Sequence, residues 1–241
     1  MTTIQKLPRL PIFRDEATHK YFCEKSNKWL KYSTTMVCNE LDEKAKESIE
    51  HTRHIWQPRG ETVHSCLEQK MLGADDIDMG EYEDIVTPLL DHYLFKHFIP
   101  MGVEYMMSNP GKDVGGQLDL IGYDTETKQI RLLDLKTKGS TKSGFYKRER
   151  EGTVYISEID KYWQEPYSTD KQLGCYVEML KLNCDIEPDV CNTIWAYPEV
   201  CIVGPNQPVQ RCKDAWQEAW ENFKAKQVVF RYEFTFKHYR I

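Results

Sequence analysis

Long apolar runs are missing from this chain: no stretch of its 241 residues approaches the ~18 consecutive apolar side chains of a membrane-spanning helix. Met1 to Arg14 holds no apolar segment between a basic start and a small-residue cleavage site, which predicts a cytosolic protein with no membrane association. Short cysteine spacings are missing too. Cys23, Cys38, Cys66, Cys175, Cys184, Cys191, Cys201 and Cys212 include no Cys-x-x-Cys pair, which argues against a zinc ribbon. Without a secretion signal they read as free thiols rather than a disulfide framework. Internal repeats and low-complexity segments are absent. So is an excess of positive charge, the formal net charge being −6. That balance argues only weakly against nucleic acid. An enzyme that collects cations with carboxylates can be acidic overall and still carry a local basic groove.

What is present reads as alternating helix and strand. Lys20 to Tyr32 has two aromatic-rich runs flanking the turn-prone pair Ser26-Asn27, which predicts a hairpin. Ser33, Thr34 and Thr35 are placed to cap a polar helix running to about Trp56, interrupted by Pro58-Arg59-Gly60. A second helix is expected from Glu61 to Leu72, with Val63, Leu67 and Met71 as its apolar stripe and Gly73 as its stop. An acidic loop over 74–84 precedes a third helix from Ile85 to Phe98. The period then changes. Val103 to Met107, Gly115 to Tyr123 and Gln129 to Thr137 read as strands of an antiparallel meander, apolar on both faces and therefore covered on both. Lys138 to Thr169 is long, polar and irregular, and reads as a flap. A helix over Asp170 to Lys181, a strand over Asn192 to Tyr197 and an amphipathic helix over Lys213 to Lys226 follow. In the last, Trp216, Ala219, Trp220 and Phe223 face the core. Val228 to Tyr239 reads as a closing strand.

The chemistry concentrates on Asp119 and on Asp134-Leu135-Lys136. Residues i and i+2 of a strand share a face, so Asp134 and Lys136 point the same way, and a hairpin partner brings Asp119 beside them. Two carboxylates and an ammonium inside apolar strands are costly unless they pair or hold an ion. Mg²⁺ or Mn²⁺ relieves that cost through hard oxygen ligands. Phosphodiester hydrolysis needs such a site: an ion to activate water and neutralise phosphoryl oxygens, and a cation such as Lys136 to stabilise developing charge.

Gly116-Gln117-Leu118-Asp119-Leu120-Ile121-Gly122 followed by Asp134-Leu135-Lys136-Thr137 resembles the PD-(D/E)XK nuclease superfamily, in particular its RecB-like exonuclease branch. Gly60 to Glu68 is similar to that branch's upstream helix with a metal-binding His. Val103-Glu104 matches its Glu-bearing strand, and Gln172-Leu173-Gly174-Cys175-Tyr176 its Gln-x-x-x-Tyr helix. No Pro precedes Asp119 as the motif name asks. The resemblance implies His64, Asp119, Asp134 and the Leu135 backbone carbonyl as metal ligands. It also implies Lys136 and Glu104 as catalytic groups, Glu68 as a support, and Gln172 and Tyr176 against the DNA backbone or the edge of the site. It implies a restriction-endonuclease-like α/β fold, a mixed central sheet flanked by helices, in a single domain over residues 1–241. The catalytic core would span about 58–200, with an N-terminal hairpin and helix over 18–57 and a C-terminal helix and strand over 212–241.

Lys136, Lys138, Lys142, Lys147, Arg148 and Arg150, with Phe145 and Tyr146 among them, form a basic segment suited to DNA phosphates and bases. The function expected is a Mg²⁺- or Mn²⁺-dependent DNA exonuclease of recombination, repair or phage DNA metabolism. It would act in a bacterial or phage-infected cytoplasm or an equivalent intracellular DNA-containing compartment, alone, as a homo-oligomer, or with a recombination or replication partner. A structure-selective or restriction-like endonuclease, or an inactive DNA-binding module, would use the same core. Some relatives hold an iron–sulfur cluster on closely spaced cysteines. The wide downstream spacings here predict none.

Overall fold

The computed structural model describes residues 4–39, 43–139 and 169–238, with side chains described as far as Gln227. The chain opens with β1 (Ile12–Arg14), β2 (Tyr21–Cys23) and β3 (Lys28–Trp29), which form a small antiparallel sheet. The expected hairpin is β2–β3, with Phe22 opposite Trp29 and Asn27 in the left-handed conformation its turn requires. β4 (Tyr32–Ser33) and the short α1 (Thr34–Cys38) follow, and Ser33 caps α1 by accepting from the Met36 N–H.

The polar helix expected to run to Trp56 is instead α1, α2 (Glu43–His51) and α3 (Arg53–Met71). Pro58 does not interrupt α3. It lies early in the helix and on an exposed flank, where losing one N–H leaves the carbonyl of His54 to water. Val63, Cys66 and Leu67 are its buried stripe. Gly73 ends it as expected, with φ +90° and a Schellman closure of Ala74 N–H on Gln69 O (2.9 Å) and Gly73 N–H on Lys70 O (3.1 Å). The helix expected over Ile85 to Phe98 is two: α4 (Glu83–Leu90) and α5 (Tyr93–Lys96). His92 starts the second by accepting from the Leu94 N–H, and Phe98 already belongs to β5 (Phe98–Asn109).

β5, β6 (Val114–Asp124) and β7 (Gln129–Thr137) are the antiparallel meander read from the sequence. α6 (Asp170–Cys184) carries the chain back so that β8 (Val190–Tyr197) runs parallel to β7, and β9 (Val200–Val203) closes that edge antiparallel. β4 adds parallel to the start of β6. The mixed sheet is flanked by helices on both faces, the expected α/β arrangement. Leu118, Ile121 and Leu132 pack with α1, α6 and α7 (Val209–His238) on one face. Leu120, Leu133, Leu135 and Ile194 pack with α3 and α4 on the other. α6 and α7 touch at Gly174, where any Cβ would strike the Cys212 carbonyl. Trp216, Ala219, Trp220 and Phe223 are buried as expected. The closing strand is not formed: α7 runs through to His238. Continuing a helix adds one backbone hydrogen bond per residue, and that outweighs the β preference of the local residues. Among the described residues no helix is long and apolar enough to cross a membrane.

Candidate metal centre

The centre of the site is a fault in the sheet. β6 and β7 pair from Asp124–Gln129 to Leu120–Leu133 and then part. Beyond that point the Leu135 N–H donates to Asp119 Oδ2 at 2.6 Å, a side chain replacing the neighbouring backbone. On the other flank of β6, Val103 pairs with Leu120 and Tyr105 with Leu118, but the intervening Glu104 is left-handed at φ 43°. A bulky non-glycine residue held there costs on the order of 1–3 kcal/mol, and such strain gathers where a side chain must be aimed. Both strands change face at this step. Leu118 and Leu120 belong to opposite layers, as do Tyr105 and Val103, although i and i+2 normally share one. Glu104 and Asp119 are thus thrust together at the point where the sheet splits.

His64 arrives from α3, one position after the buried Val63. Its Nδ1 lies 3.0 Å from Glu104 Oε1 and 3.6 Å from Asp119 Oδ1. Burial disfavours the imidazolium, but Asp119 and the Glu104 hydrogen bond outweigh it and push His64 up to about 9. Gln117 Nε2 donates to Glu104 Oε2 at 2.6 Å and fixes that carboxylate from behind. Ligand atoms of His64, Glu104 and Asp119 all lie within 4.8 Å of one another, a group able to hold a metal ion. One imidazole nitrogen with carboxylate oxygens suits Mn²⁺, and Mg²⁺ with water completing its shell.

Asp134 and Lys136 stand on the α6 side of β7. Lys136 Nζ is 2.6 Å from Asp134 Oδ2. Asp134 is fully buried, and among the described residues neither of its oxygens has a partner in good hydrogen-bond geometry. Burial, against the pull of Lys136, pushes its carboxyl up to about 6, and burial also raises Asp119. Burial disfavours the Lys136 ammonium, yet Asp134 and Asp119 outweigh this and raise it, so it stays charged. The donor set therefore fits a divalent cation: a His and two carboxylates in reach of one another, and a third carboxylate beside them whose Oδ1 has no partner among the described residues.

No protein-family model and no curated protein matches the chain. Among solved structures it is similar to a crystal structure of a "Putative exonuclease" from Eubacterium rectale, with 15% identity and a TM-score of 0.38. That match covers 68% of this chain and 64% of the other, so the chain spans less than two thirds of that protein's length. The chemistry of the site accordingly stands on its own side chains.

The remaining residues singled out in the sequence fall in three places. Gln172 Oε1 accepts from Lys136 Nζ at 3.4 Å, and its Nε2 donates to the Tyr176 hydroxyl at 2.9 Å. Tyr176 is buried, its ring over Gly116 where a Cβ would collide with it, so Gln172 rather than Tyr176 is left to face a ligand. Glu68 lines the cleft beside His64, and among the described residues no hydrogen bond or ion pair ties it to the centre. Lys138 turns back over Trp195, 5.3 Å from the ring centroid. Lys142, Lys147, Arg148 and Arg150 lie outside the described residues. At Leu135 it is the N–H that is engaged, with Asp119. Two contributors escaped the sequence reading. Gln117 holds Glu104, a contact no spacing announces. Arg59, read as part of a helix break, lies against Gly139, and after burial it is the main influence that disfavours the charge of Lys138. With Lys136 these cations border the end of β7.

Proposed function

We propose that the protein is a Mg²⁺- or Mn²⁺-dependent deoxyribonuclease, acting as an exonuclease in DNA metabolism. The observation that carries this reading is the charged Lys136 seated on a buried carboxylate beside the His64–Glu104–Asp119 group. That is the constellation for which the sequence resembles RecB-like nucleases, here assembled from four separate elements. The site opens on a cleft of about 750 Å³ lined by Arg14, Tyr21, Trp56, His64, Glu104 and Gln117 among others, large enough for nucleotide units.

His64, Glu104 and Asp119, with Asp134 alongside, would hold the ion. When bound, the ion supplies an activated water and a counter-charge for phosphoryl oxygens. Lys136 remains an ammonium, so it orients the water or stabilises the charge that develops on the phosphate, and does not take up the proton. A carboxylate of the cluster not engaged with the ion would take up the proton. Gln172 holds the Lys136 head in place.

The test is digestion of 5′- and 3′-labelled single- and double-stranded DNA with Mg²⁺ or Mn²⁺, beside covalently closed circles. Stepwise loss from ends is expected. Rapid cutting of circles would make the enzyme an endonuclease. DNA binding with no metal binding by calorimetry would make it an inactive module.

A further inference from the structure

The small N-terminal sheet has two unlike faces. Ile12, Tyr21 and Cys23 point inward and pack with Leu30 against Met106 of β5, two residues from Glu104. Phe13, Phe22 and Trp29 point the other way, one from each strand and in direct register: Phe13 opposite Phe22, and Phe22 opposite Trp29. Their ring centroids are 5.3 Å apart for Phe13–Phe22 and for Phe22–Trp29, and 5.8 Å for Phe13–Trp29. The row is presented to solvent, Phe13 being 40% and Trp29 47% exposed. Apolar rings on the outer face of a thin sheet gain nothing for the core, whose contribution comes from the inner face.

The surroundings of this row are cationic. Residues 4–33 carry seven Lys or Arg against three Asp or Glu, in a chain whose net charge is −6; of the seven, Arg14 pairs with Glu16, and Lys28 and Lys31 with Asp113. Lys20, just before β2, and Lys25, in the β2–β3 turn, make no ion pair among the described residues. Phe13 lines a hollow that also holds Lys6, Arg9 and Glu104 of the metal centre. Arg14, next to Phe13 but facing inward, donates to Gln117 Oε1 at 3.3 Å, and Gln117 holds Glu104. Arg14, His19 and Tyr21 of the sheet line the same cleft as His64 and Glu104.

We infer that Phe13, Phe22 and Trp29 form a stacking platform for the bases of single-stranded DNA, holding a strand whose phosphates run into the metal-centre cleft. Every base has a π-face, so a row of rings grips a strand without reading its sequence, and neighbouring lysines hold its phosphates. The platform rests on the nuclease reading only for its role; binding itself needs no catalysis.

The experiment measures binding of a fluorescent oligo(dT) to the full chain in EDTA, by anisotropy. The wild type is compared with Phe13→Ala/Phe22→Ala/Trp29→Ala and with Trp29→Phe. These side chains lie outside the core, so melting temperatures should agree within a few degrees. The triple variant is expected to lose affinity by at least about tenfold, Trp29→Phe to keep most of it, and a blunt duplex to show no comparable loss. Equal oligo(dT) affinity in wild type and triple variant overturns the platform. So does a triple variant whose only change is loss of self-association, which would make the face a contact between copies. A wild type that binds oligo(dT) with the expected ring dependence, yet cuts no DNA with Mg²⁺ or Mn²⁺, supports the platform and overturns the nuclease reading alone.

Discussion

The hairpin of β6 and β7 carries a buried charge cluster at each end, and the two are satisfied very differently. At the turn, Asp124 accepts from Arg131 Nε at 2.8 Å, from the Thr127 hydroxyl at 2.7 Å and from two backbone N–H groups. Arg131 spends its other N–H groups on Asn192, Asn206, Thr127 and Gln129. Burial works against the Asp124 carboxylate, but these hydrogen bonds outweigh it and hold its pKa below the usual range. At the open end, three carboxylates crowd one ammonium and one imidazole, Asp134 keeps two oxygens without good partners, and Asp119 and Asp134 are raised. Both clusters are buried and both are built on strand aspartates. One has as many donors as its charges need; in the other, among the described residues, carboxylates outnumber cationic groups three to two. A cluster whose charges are all paired braces the fold, while one with surplus carboxylate is suited to a divalent cation.

The sharpest way to break this comparison is to disable each end in turn. Asp119→Asn or Lys136→Ala should abolish DNA cleavage, a loss of roughly 10²–10³-fold or more, and the urea midpoint of Asp119→Asn should stay at or above that of the wild type. Wild-type-like cleavage by either purified variant would remove the assignment. Arg131→Met should do the reverse. It leaves Asp124 buried without its partner, which costs about 3–5 kcal/mol, a large share of what holds a domain together. Urea unfolding should show that loss, and the folded fraction should still cut DNA at the wild-type rate.

The two ends also differ in how far the sequence discloses them. Asp119 and Asp134-Leu135-Lys136 stand out because charged residues interrupt apolar strands, and the strand β7 has the bounds its pattern predicts, Gln129 to Thr137. What the sequence hides is the fault that brings them to His64 and Glu104. The left-handed backbone of Glu104 and the change of face at Asp119 arise where β6 and β7 separate, and no local preference encodes them. Asp124 and Arg131 do not stand out in the sequence for a related reason: Asp124 looks like a turn residue until the fold brings Asn192 and Asn206 to Arg131. Pro58 and the tail mislead in another way. A proline near a helix start and β-prone residues after a helix are weak local signals, and helix continuation overrides both. The aromatic row of the small sheet was legible as a hairpin, but its single exposed face appears only with the third strand.

A smaller effect should follow from supplying the missing charge. Mn²⁺ at about a hundred times its dissociation constant should stabilise the wild type by about 2.7 kcal/mol, read as a rise in melting temperature. Asp119→Asn and His64→Ala should show much less, and Arg131→Met the full increment. Equal shifts in wild type and Asp119→Asn would mean that the ion sits elsewhere.

The most specific effect is the response to pH, in which the two ends should differ in sign. Asp134 ionises at about 6 in the folded protein and near 3.8 when unfolded, so between those values the folded state holds a proton that the unfolded state has released. Stability contributed by this group therefore falls as pH rises from about 4 to 6 and is flat beyond. Asp124 is lowered, so its contribution is present above the unfolded value and is lost as the pH falls through its folded pKa. Asp134→Asn should flatten the metal-free profile between pH 4 and 6 and leave the acid limb in place. Asp124→Asn should weaken the acid limb and leave the slope between pH 4 and 6. Urea midpoints measured in EDTA at half-unit pH steps would separate the two. An Asp134→Asn profile parallel to the wild type across that window would mean that this carboxylate is already compensated, and the contrast between the two ends of the hairpin would then have to rest on Asp119 and Glu104 alone.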